Sequence, residues 1–231
     1  MKLLSQVVAA LCLVAAPVAA QENPVVVELF TSQGCSSCPP ADELLHALAE
    51  RDDVIALALH VDYWDYIGWK DEFAHPRNAD RQRAYATVAS RRSIYTPEMI
   101  VNGVTDIVGA RPMQIADAIA EHKQEQPSVS LALTRDGDEL LIEAAALRED
   151  VGPVTVQMLR YTPQRVARII RGENAGNTIT YANVTEDWKT LGEWDGDAPL
   201  GLTAAVTGTA PIVVLVQSVQ MGPILAAAQL Q

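Results

Sequence analysis

Two stretches near the start of the chain are continuously apolar, and a helical repeat lies between them. Residues 24 to 30 and Val54 to Val61 show no alternation, which is typical of strands that are buried on both faces of a parallel sheet. Between them, residues 41 to 52 carry apolar side chains at helical spacing. These positions are Ala41, Leu44, Leu45, Leu48 and Ala49. A helical crossover makes the two strands parallel, so their carboxyl ends meet at one edge of the sheet.

The next part of the chain predicts a helical insertion, a hairpin and another helix. Residues 71 to 92 are polar and helical in composition, and Pro76 divides them into two predicted pieces. Two short apolar runs flank Asn102-Gly103, which is a turn signature of β-hairpins. A helix is predicted from Pro112 to His122, since proline is tolerated in a first helical turn.

From Ser128 onward the pattern changes to alternation and turns, which predicts an antiparallel β-sandwich. A hairpin is expected around Asp136-Gly137, and Gly172 to Gly176 is expected to be a turn. Further strands are predicted at Val154 to Tyr161, Ala167 to Arg171, Thr178 to Asn183, Leu202 to Thr207, Ile212 to Ser218 and Ile224 to Gln229. The predicted organisation is therefore an α/β domain over residues 21 to 126 and an all-β domain over residues 127 to 231.

The first twenty residues predict a cleavable secretory signal peptide. Lys2 precedes an apolar stretch from Leu3 to Val14, and small residues stand at Val18 and Ala20. No later stretch is long enough to span a bilayer. We therefore expect residues 1 to 20 to be removed and the protein to be exported to the periplasm or secreted, with no membrane attachment after cleavage.

The charge of the chain narrows the classes of partner. The sequence has 29 acidic and 17 basic residues, and its formal net charge is −12. Nucleic acid and anionic lipid are polyanions that bind basic surfaces. Neither is expected as a partner.

The cysteines carry the chemistry that is easiest to recognise. Of three cysteines, Cys12 lies in the predicted signal peptide, which leaves Cys35 and Cys38 at a strand-to-helix junction. A helix N-terminus stabilises a thiolate, and two cysteines at this spacing can close a disulfide and exchange it. Pro39 and Pro40 bias Cys38 away from helical geometry, so we expect the helix to begin later and this stabilisation to be weaker.

The cysteine pair has three other interpretations. A zinc site lacks a second cysteine pair and a pair of histidines, so no metal and no cofactor is expected. A purely structural disulfide stays open. Copper binding by Cys35, Cys38 and His60, which ends the second strand, is the third alternative.

An aromatic segment follows the second strand and leaves from the same sheet edge as Cys35. It runs from Asp62 to Asp71, in a chain with only 5% aromatic residues. Its aromatic residues are Tyr63, Trp64, Tyr66 and Trp69. Tyr63 and Trp64 are candidates for a substrate-facing wall, and the alternative is that they cap the sheet edge. Asp62 is either a proton acceptor near the thiols or a solvated loop charge.

The order of these elements resembles the thioredoxin fold over about residues 24 to 123. Cys35-Ser36-Ser37-Cys38 and Thr96-Pro97 match the redox pair and the cis-proline of that fold, and residues 96 to 103 resemble glutaredoxins. More closely, the chain resembles an exported bacterial thioredoxin-like family that is carried as a domain of unknown function. That likeness rests on residues 28 to 42, 60 to 71 and 171 to 176.

The resemblance implies roles for individual residues. Cys35 would be the exposed attacking thiolate and Cys38 the resolving thiol, and the two would form the disulfide. Thr96 and Pro97 would bind an extended substrate peptide. Glu28 lies near the place of thioredoxin's buried acid and would be a proton acceptor, although its spacing to Cys35 is one residue longer.

Two functions are carried forward. The first is an exported thiol-disulfide oxidoreductase that acts on protein thiols or disulfides, or on a redox partner protein. The second is a non-catalytic binding or assembly module on a thioredoxin scaffold with a structural disulfide.

Overall fold

The computed structural model describes residues 23 to 231, which adopt a mixed α/β fold. The predicted signal peptide and Cys12 lie outside the described residues. No helix in the described part of the chain is long and apolar enough to cross a membrane.

Eleven strands and three α-helices follow one another between residues 23 and 231. The first half contains β1 (Val25–Thr31), α1 (Pro39–Ala49), β2 (Val54–His60), a 3-10 turn (Asp65–Ile67), α2 (Pro76–Val88), β3 (Glu98–Val101), β4 (Thr105–Val108) and α3 (Pro112–Gln124). The second half contains β5 (Val129–Asp136), β6 (Glu139–Ala146), β7 (Val154–Arg168), β8 (Thr178–Trp194), β9 (Leu200–Ala205), β10 (Ile212–Ser218) and β11 (Ile224–Leu230).

The predicted start of the fold is confirmed at the level of its elements. Strands β1 and β2 are parallel and fully buried, in register from Val25↔Val54 to Thr31↔His60. Strand β3 pairs antiparallel with β1, and β4 with β3. The hairpin turn has positive φ at Asn102 and Gly103, 46° and 76°, as a two-residue turn of this type requires.

Strands from both halves of the chain form one eight-stranded sheet, in the order β11-β10-β7-β8-β2-β1-β3-β4. The join between the halves is a parallel pairing of β2 with β8, at Ala58↔Val184. Strands β5, β6 and β9 form a separate three-stranded sheet, which shares a hydrophobic core with β7, β10 and β11. The predicted self-contained sandwich is therefore not confirmed, and the division between residues 126 and 127 stays a prediction.

Two predictions are wrong: the division of a helical pair at Pro76, and the division of one long strand into two. Pro76 does not divide a helical pair: it is the first residue of α2, whose preceding His75 side chain accepts a hydrogen bond from the Arg77 amide. The two strands predicted at Val154 to Tyr161 and Ala167 to Arg171 are the single 15-residue strand β7, which pairs with the 17-residue strand β8. The hairpin at Asp136-Gly137 is confirmed.

The two faces of β1 point into different cores. Val25, Val27 and Leu29 pack with α1 and α3, whereas Val26 and Phe30 pack with residues of α2, β7 and β10. Because side chains alternate along a strand, Thr31 lies on the α1 side and Glu28 on the α2 side. This alternation decides which polar residues lie near the cysteines.

Candidate functional site

The cysteine pair lies where β1 gives way to α1. Cys35 and Cys38 form a disulfide. Cys38 is the N-cap of α1 with helical backbone angles, φ −78° and ψ −34°, and the helix begins at once with Pro39. The predicted delay of the helix start is wrong, because prolines at the first two positions lack only N–H groups that a helix leaves unpaired there.

Both cysteines are buried, in contrast to the exposed position that the resemblance implied for Cys35. The exposed fraction is 2% for Cys35 and 0% for Cys38. Two segments that are distant in sequence lie over the cysteine loop, residues 32 to 38. They are the aromatic loop, residues 62 to 71, and the Asn174 loop, residues 172 to 176.

The aromatic loop covers the cysteine loop through two tryptophans. A Cβ on Gly34 would lie only 3.2 Å from Cβ of Trp64. The Trp64 indole N–H also donates to Oγ1 of Thr96 (2.7 Å), and the Trp69 indole N–H donates to Oε1 of Gln33 (2.8 Å). Tyr66, by contrast, is 81% exposed and stacks on Trp64. Trp64 therefore ties the cysteine loop to Thr96, whose bond to Pro97 is cis.

The Asn174 loop also holds the cysteine loop, through hydrogen bonds to its backbone. The amide nitrogen of Asn174 donates to the backbone oxygens of Gln33 and Cys35, at 2.9 Å each. Asn174 is buried, and the loop turns at Gly172 and Gly176, which have φ of 80° and 90°. Only glycine adopts such angles freely. A segment predicted only as a turn therefore contacts the cysteine loop directly.

The remaining predicted site residues contact α2 or lie in the aromatic loop. Glu28 is buried on the α2 side of the sheet, where Nε of Arg81 (2.6 Å) and the Tyr85 hydroxyl (2.6 Å) donate to it. Tyr63 donates to Oε1 of Gln82 in α2. Asp62 is half-buried in the aromatic loop. The structure thus brings Trp64, Thr96 and Pro97 to the cysteine region but commits Glu28 to an ion pair with Arg81.

A different carboxyl group is buried beside the cysteine pair. Asp42 lies one helical turn after Cys38, and its amide donates to the Cys38 backbone oxygen (3.1 Å). Its side chain is 3% exposed, and Oδ1 accepts the hydroxyl of Thr31 (2.8 Å). Oδ2 has no hydrogen-bond partner among the described residues. Burial raises the pKa of Asp42 to about 7, because removal from water disfavours its charged form.

A buried histidine lies at the end of the neighbouring strand. Nδ1 of His60 is 2.7 Å from Oδ2 of Asp71, and both side chains are fully buried. Asp71 also accepts the backbone amides of Gln33 (2.8 Å) and Phe73 (2.9 Å). Within residues 23 to 231, no group of three or more histidine, cysteine or carboxylate side chains is placed to hold a metal ion. The copper alternative therefore has no geometric support from His60.

The sequence indicates that Asp42 lies near the cysteine pair, but it does not indicate that Asn174 contacts the cysteine loop. Positions i and i+4 of a helix lie on one face, so Asp42 shares the face of Cys38. The apolar positions along α1 do not include Asp42 and therefore do not indicate it. Asn174 lies 139 residues from Cys35, and no local pattern predicts a contact at that separation.

Asn174→Ala is expected to raise the alkylation rate of Cys35 in the reduced protein about 30-fold. The change removes two hydrogen bonds that close the Asn174 loop over the cysteine loop, each contributing about 1 kcal/mol. Iodoacetamide labelling followed by mass spectrometry of the Cys35 peptide measures the rate.

Asn183→Ala is the matched control for this experiment. The Asn183 amide also donates to a backbone oxygen, that of Ala56, four residues before the end of β2. The control should leave Cys35 labelling unchanged. Equal rates in wild type and Asn174→Ala would show that the loop does not limit access to Cys35.

Comparison with known proteins places the chain in a family. No curated protein matches the sequence. The crystal structure of a protein from Agrobacterium tumefaciens is similar at 33% identity, with a TM-score of 0.78, over 91% of this chain and 96% of that one. HBP35 of Porphyromonas gingivalis is similar in fold, with a TM-score of 0.60 at 16% identity, over 90% of this chain and 75% of that one. Residues 26–217 match the family described as "Protein of unknown function (DUF1223)", and the chain belongs to that family.

Proposed function

We propose that this protein is an exported thiol-disulfide oxidoreductase on a thioredoxin-like scaffold. The observation that carries the proposal is the Cys35–Cys38 disulfide at the N-terminus of α1, with the buried Asp42 carboxyl one helical turn further on. A structural disulfide needs no buried acid beside it, whereas dithiol exchange must move a proton from the resolving thiol. The predicted signal peptide supports export, where disulfides persist.

The chemistry follows from the order of the two cysteines. In the reducing direction, the Cys35 thiolate attacks a substrate disulfide, forms a mixed disulfide and releases one substrate thiolate. Cys38 then gives its proton to Asp42 and attacks Sγ of Cys35, which re-forms the Cys35–Cys38 disulfide and releases the second substrate thiolate. Two electrons pass to the substrate, and the reverse sequence oxidises a dithiol.

The same geometry sets conditions for the substrate. A disulfide-bearing protein cannot reach a cysteine that is 2% exposed, so the Asn174 loop must open before Cys35 attacks. Thr96, which is hydrogen-bonded to Trp64, lies beside the cysteine loop and would bind the backbone of the substrate. The expected partners are protein thiols or disulfides, or a redox partner protein.

The second candidate is a binding or assembly module whose disulfide is structural. The observation in its favour is the burial of both cysteines, since buried cysteines are inert when nothing uncovers them. The two candidates differ in whether the disulfide exchanges with other thiols.

The mature wild-type protein decides between them. In glutathione buffer, catalytic amounts of the protein should accelerate both oxidation and reduction of a dithiol peptide, with a rate that saturates as the peptide concentration rises. Peptide redox state is measured by acid quenching and chromatography. A rate equal to that of buffer alone in both directions contradicts the oxidoreductase proposal and supports the binding module.

A further inference from the structure

Several buried polar side chains meet between α1 and the sheet, next to the disulfide. Thr31 and His60 are direct neighbours in the β1–β2 register, so their side chains leave the same face of the sheet. Thr31 also donates to Asp42, which places Asp42 and His60 against the same threonine. The ring of Tyr181 in β8 lies 4.6 Å from the His60 ring, centroid to centroid. We call Thr31, Asp42, His60 and Tyr181 the buried polar cluster.

Three atoms of the buried polar cluster have no hydrogen-bond partner among the described residues. They are Oδ2 of Asp42, Nε2 of His60 and the hydroxyl of Tyr181. Buried polar atoms are rarely left unpaired, and three in one cluster indicate that a bridging water joins them. A carboxyl oxygen, an imidazole nitrogen and a hydroxyl together can accept and donate protons.

The environment of His60 fixes which nitrogen faces the cluster. Nδ1 lies against the Asp71 carboxylate, which already accepts two backbone amides. A carboxylate only accepts, so Nδ1 donates to it, and in neutral His60 the lone pair is on Nε2. Phe73 and Tyr181 pack edge-on against the ring and prevent it from turning. His60 therefore offers a proton acceptor to the cluster, and Asp71 stabilises the imidazolium that forms.

We propose that His60 is the proton partner of Asp42: a proton that Asp42 takes from Cys38 passes to Nε2 of His60. The proposal rests on the proposed function for its catalytic use. The Cys38 S–H bond breaks as the proton moves to Asp42, and the thiolate attacks Sγ of Cys35 in the mixed disulfide. The proton then moves to His60 and regenerates the Asp42 carboxylate. The substrate disulfide is the oxidant, and the steps reverse for a dithiol substrate.

The charged and titratable groups around Asp42 define what should change its ionisation. Thr31 faces it from β1, His60 from β2, Asp71 from the aromatic loop and Tyr181 from β8, and Cys38 precedes it on α1. Of these, His60 and Thr31 favour the Asp42 carboxylate, whereas Asp71 opposes it. His60 is the only one of the neighbours in this set that becomes positively charged.

The test is a titration of the Asp42 carboxyl by carbon-13 NMR in the oxidised, full mature protein. Asp42→Asn identifies the resonance. In His60→Gln, loss of the attracting imidazolium should raise the Asp42 pKa by about one unit or more, which is a tenfold shift of the ionisation equilibrium. An Asp42 titration that stays within about 0.3 unit of wild type in a folded His60→Gln protein overturns the proposal.

His46→Gln is the matched control, since His46 lies one turn further along α1 on the same helix and is not among the groups that shift Asp42. It should leave the Asp42 titration unchanged. An equal shift of the Asp42 pKa in His46→Gln would mean that loss of any histidine on or near α1 changes the Asp42 pKa. That result would also overturn the pairing of Asp42 with His60.

Wild type supplies a second test that needs no folded variant. If Asp42 and His60 share a proton, the carbon-13 shift of Asp42 and the nitrogen-15 shifts of His60 change together, each in the same two steps. Independent single-step curves overturn the pairing. Because the oxidised protein is titrated without substrate, this result does not depend on turnover: coupled titrations in a protein without disulfide transfer would contradict the proposed function alone.

Discussion

Cys35→Ser is expected to reduce disulfide transfer by the mature protein to the uncatalysed rate, a loss of ~1000-fold or more. A serine hydroxyl forms no disulfide, and Cys38 is fully buried as the N-cap of α1, whereas the Asn174 loop that must open is bonded to Cys35. The dithiol peptide assay in glutathione buffer measures the loss. Because serine is nearly isosteric with cysteine, circular dichroism should show an intact fold.

Cys38→Ser is the matched control for the order of attack. This variant keeps Cys35, so it should form a mixed disulfide with the peptide and fail to resolve it, and the adduct is visible by non-reducing mass spectrometry. If Cys35→Ser retains transfer, or if the adduct accumulates on Cys38 instead, the assigned roles of the two cysteines are contradicted.

Asp42→Asn is expected to raise the free energy of unfolding relative to wild type by an amount that grows as the pH rises. The pKa of Asp42 is raised to about 7 from 3.8 by burial, so the folded state holds a proton that the unfolded chain has already lost between these values. In wild type, the stabilisation that the folded state gains from the proton on Asp42 is complete below pH 3.8 and is lost as the pH rises through about 7. Asparagine does not ionise and still accepts from Thr31.

The size of this effect follows from linkage. Between pH 4 and pH 8, the unfolding free energy of Asp42→Asn relative to wild type should rise on the order of 3 kcal/mol. Urea unfolding of the oxidised proteins at several pH values measures it. Asp52→Asn removes an exposed carboxyl and should show no such trend. A difference between Asp42→Asn and wild type that is constant with pH would mean that Asp42 is not buried as a titrating acid.

The local pattern predicted the first part of the fold because its contacts are local. The run of β1, α1 and β2 and the Asn102-Gly103 hairpin are confirmed, since each is specified by periodicity or by turn residues within a few positions. The pairing of β2 with β8 joins Ala58 to Val184. Alternation shows that a strand has a buried face, but it does not identify the partner strand across such a separation.

In the candidate site, too, the features set by local sequence were predicted and those set by distant contacts were not. The position of the cysteine pair at the start of α1 was predicted, whereas the burial of Cys35 was not, because a residue of a distant loop, Asn174, holds the cysteine loop. The resemblance to thioredoxin assigns Glu28 by its position along β1, whereas its side chain faces α2. Asp42 is not one of the apolar positions that define the buried face of α1, so the apolar pattern does not indicate its burial. Tertiary contacts, rather than motif spacing, determine which polar groups lie near the disulfide.

An oxidoreductase and a protein with a structural disulfide differ in whether the Cys35–Cys38 disulfide exchanges with external thiols. A redox titration of the mature wild-type protein in glutathione buffers measures this exchange, with thiol trapping to count free Cys35 and Cys38 at each potential. We expect a midpoint between about −120 and −270 mV, the range of exchange catalysts. A midpoint below about −300 mV would mark a structural disulfide and contradict the proposed oxidoreductase function.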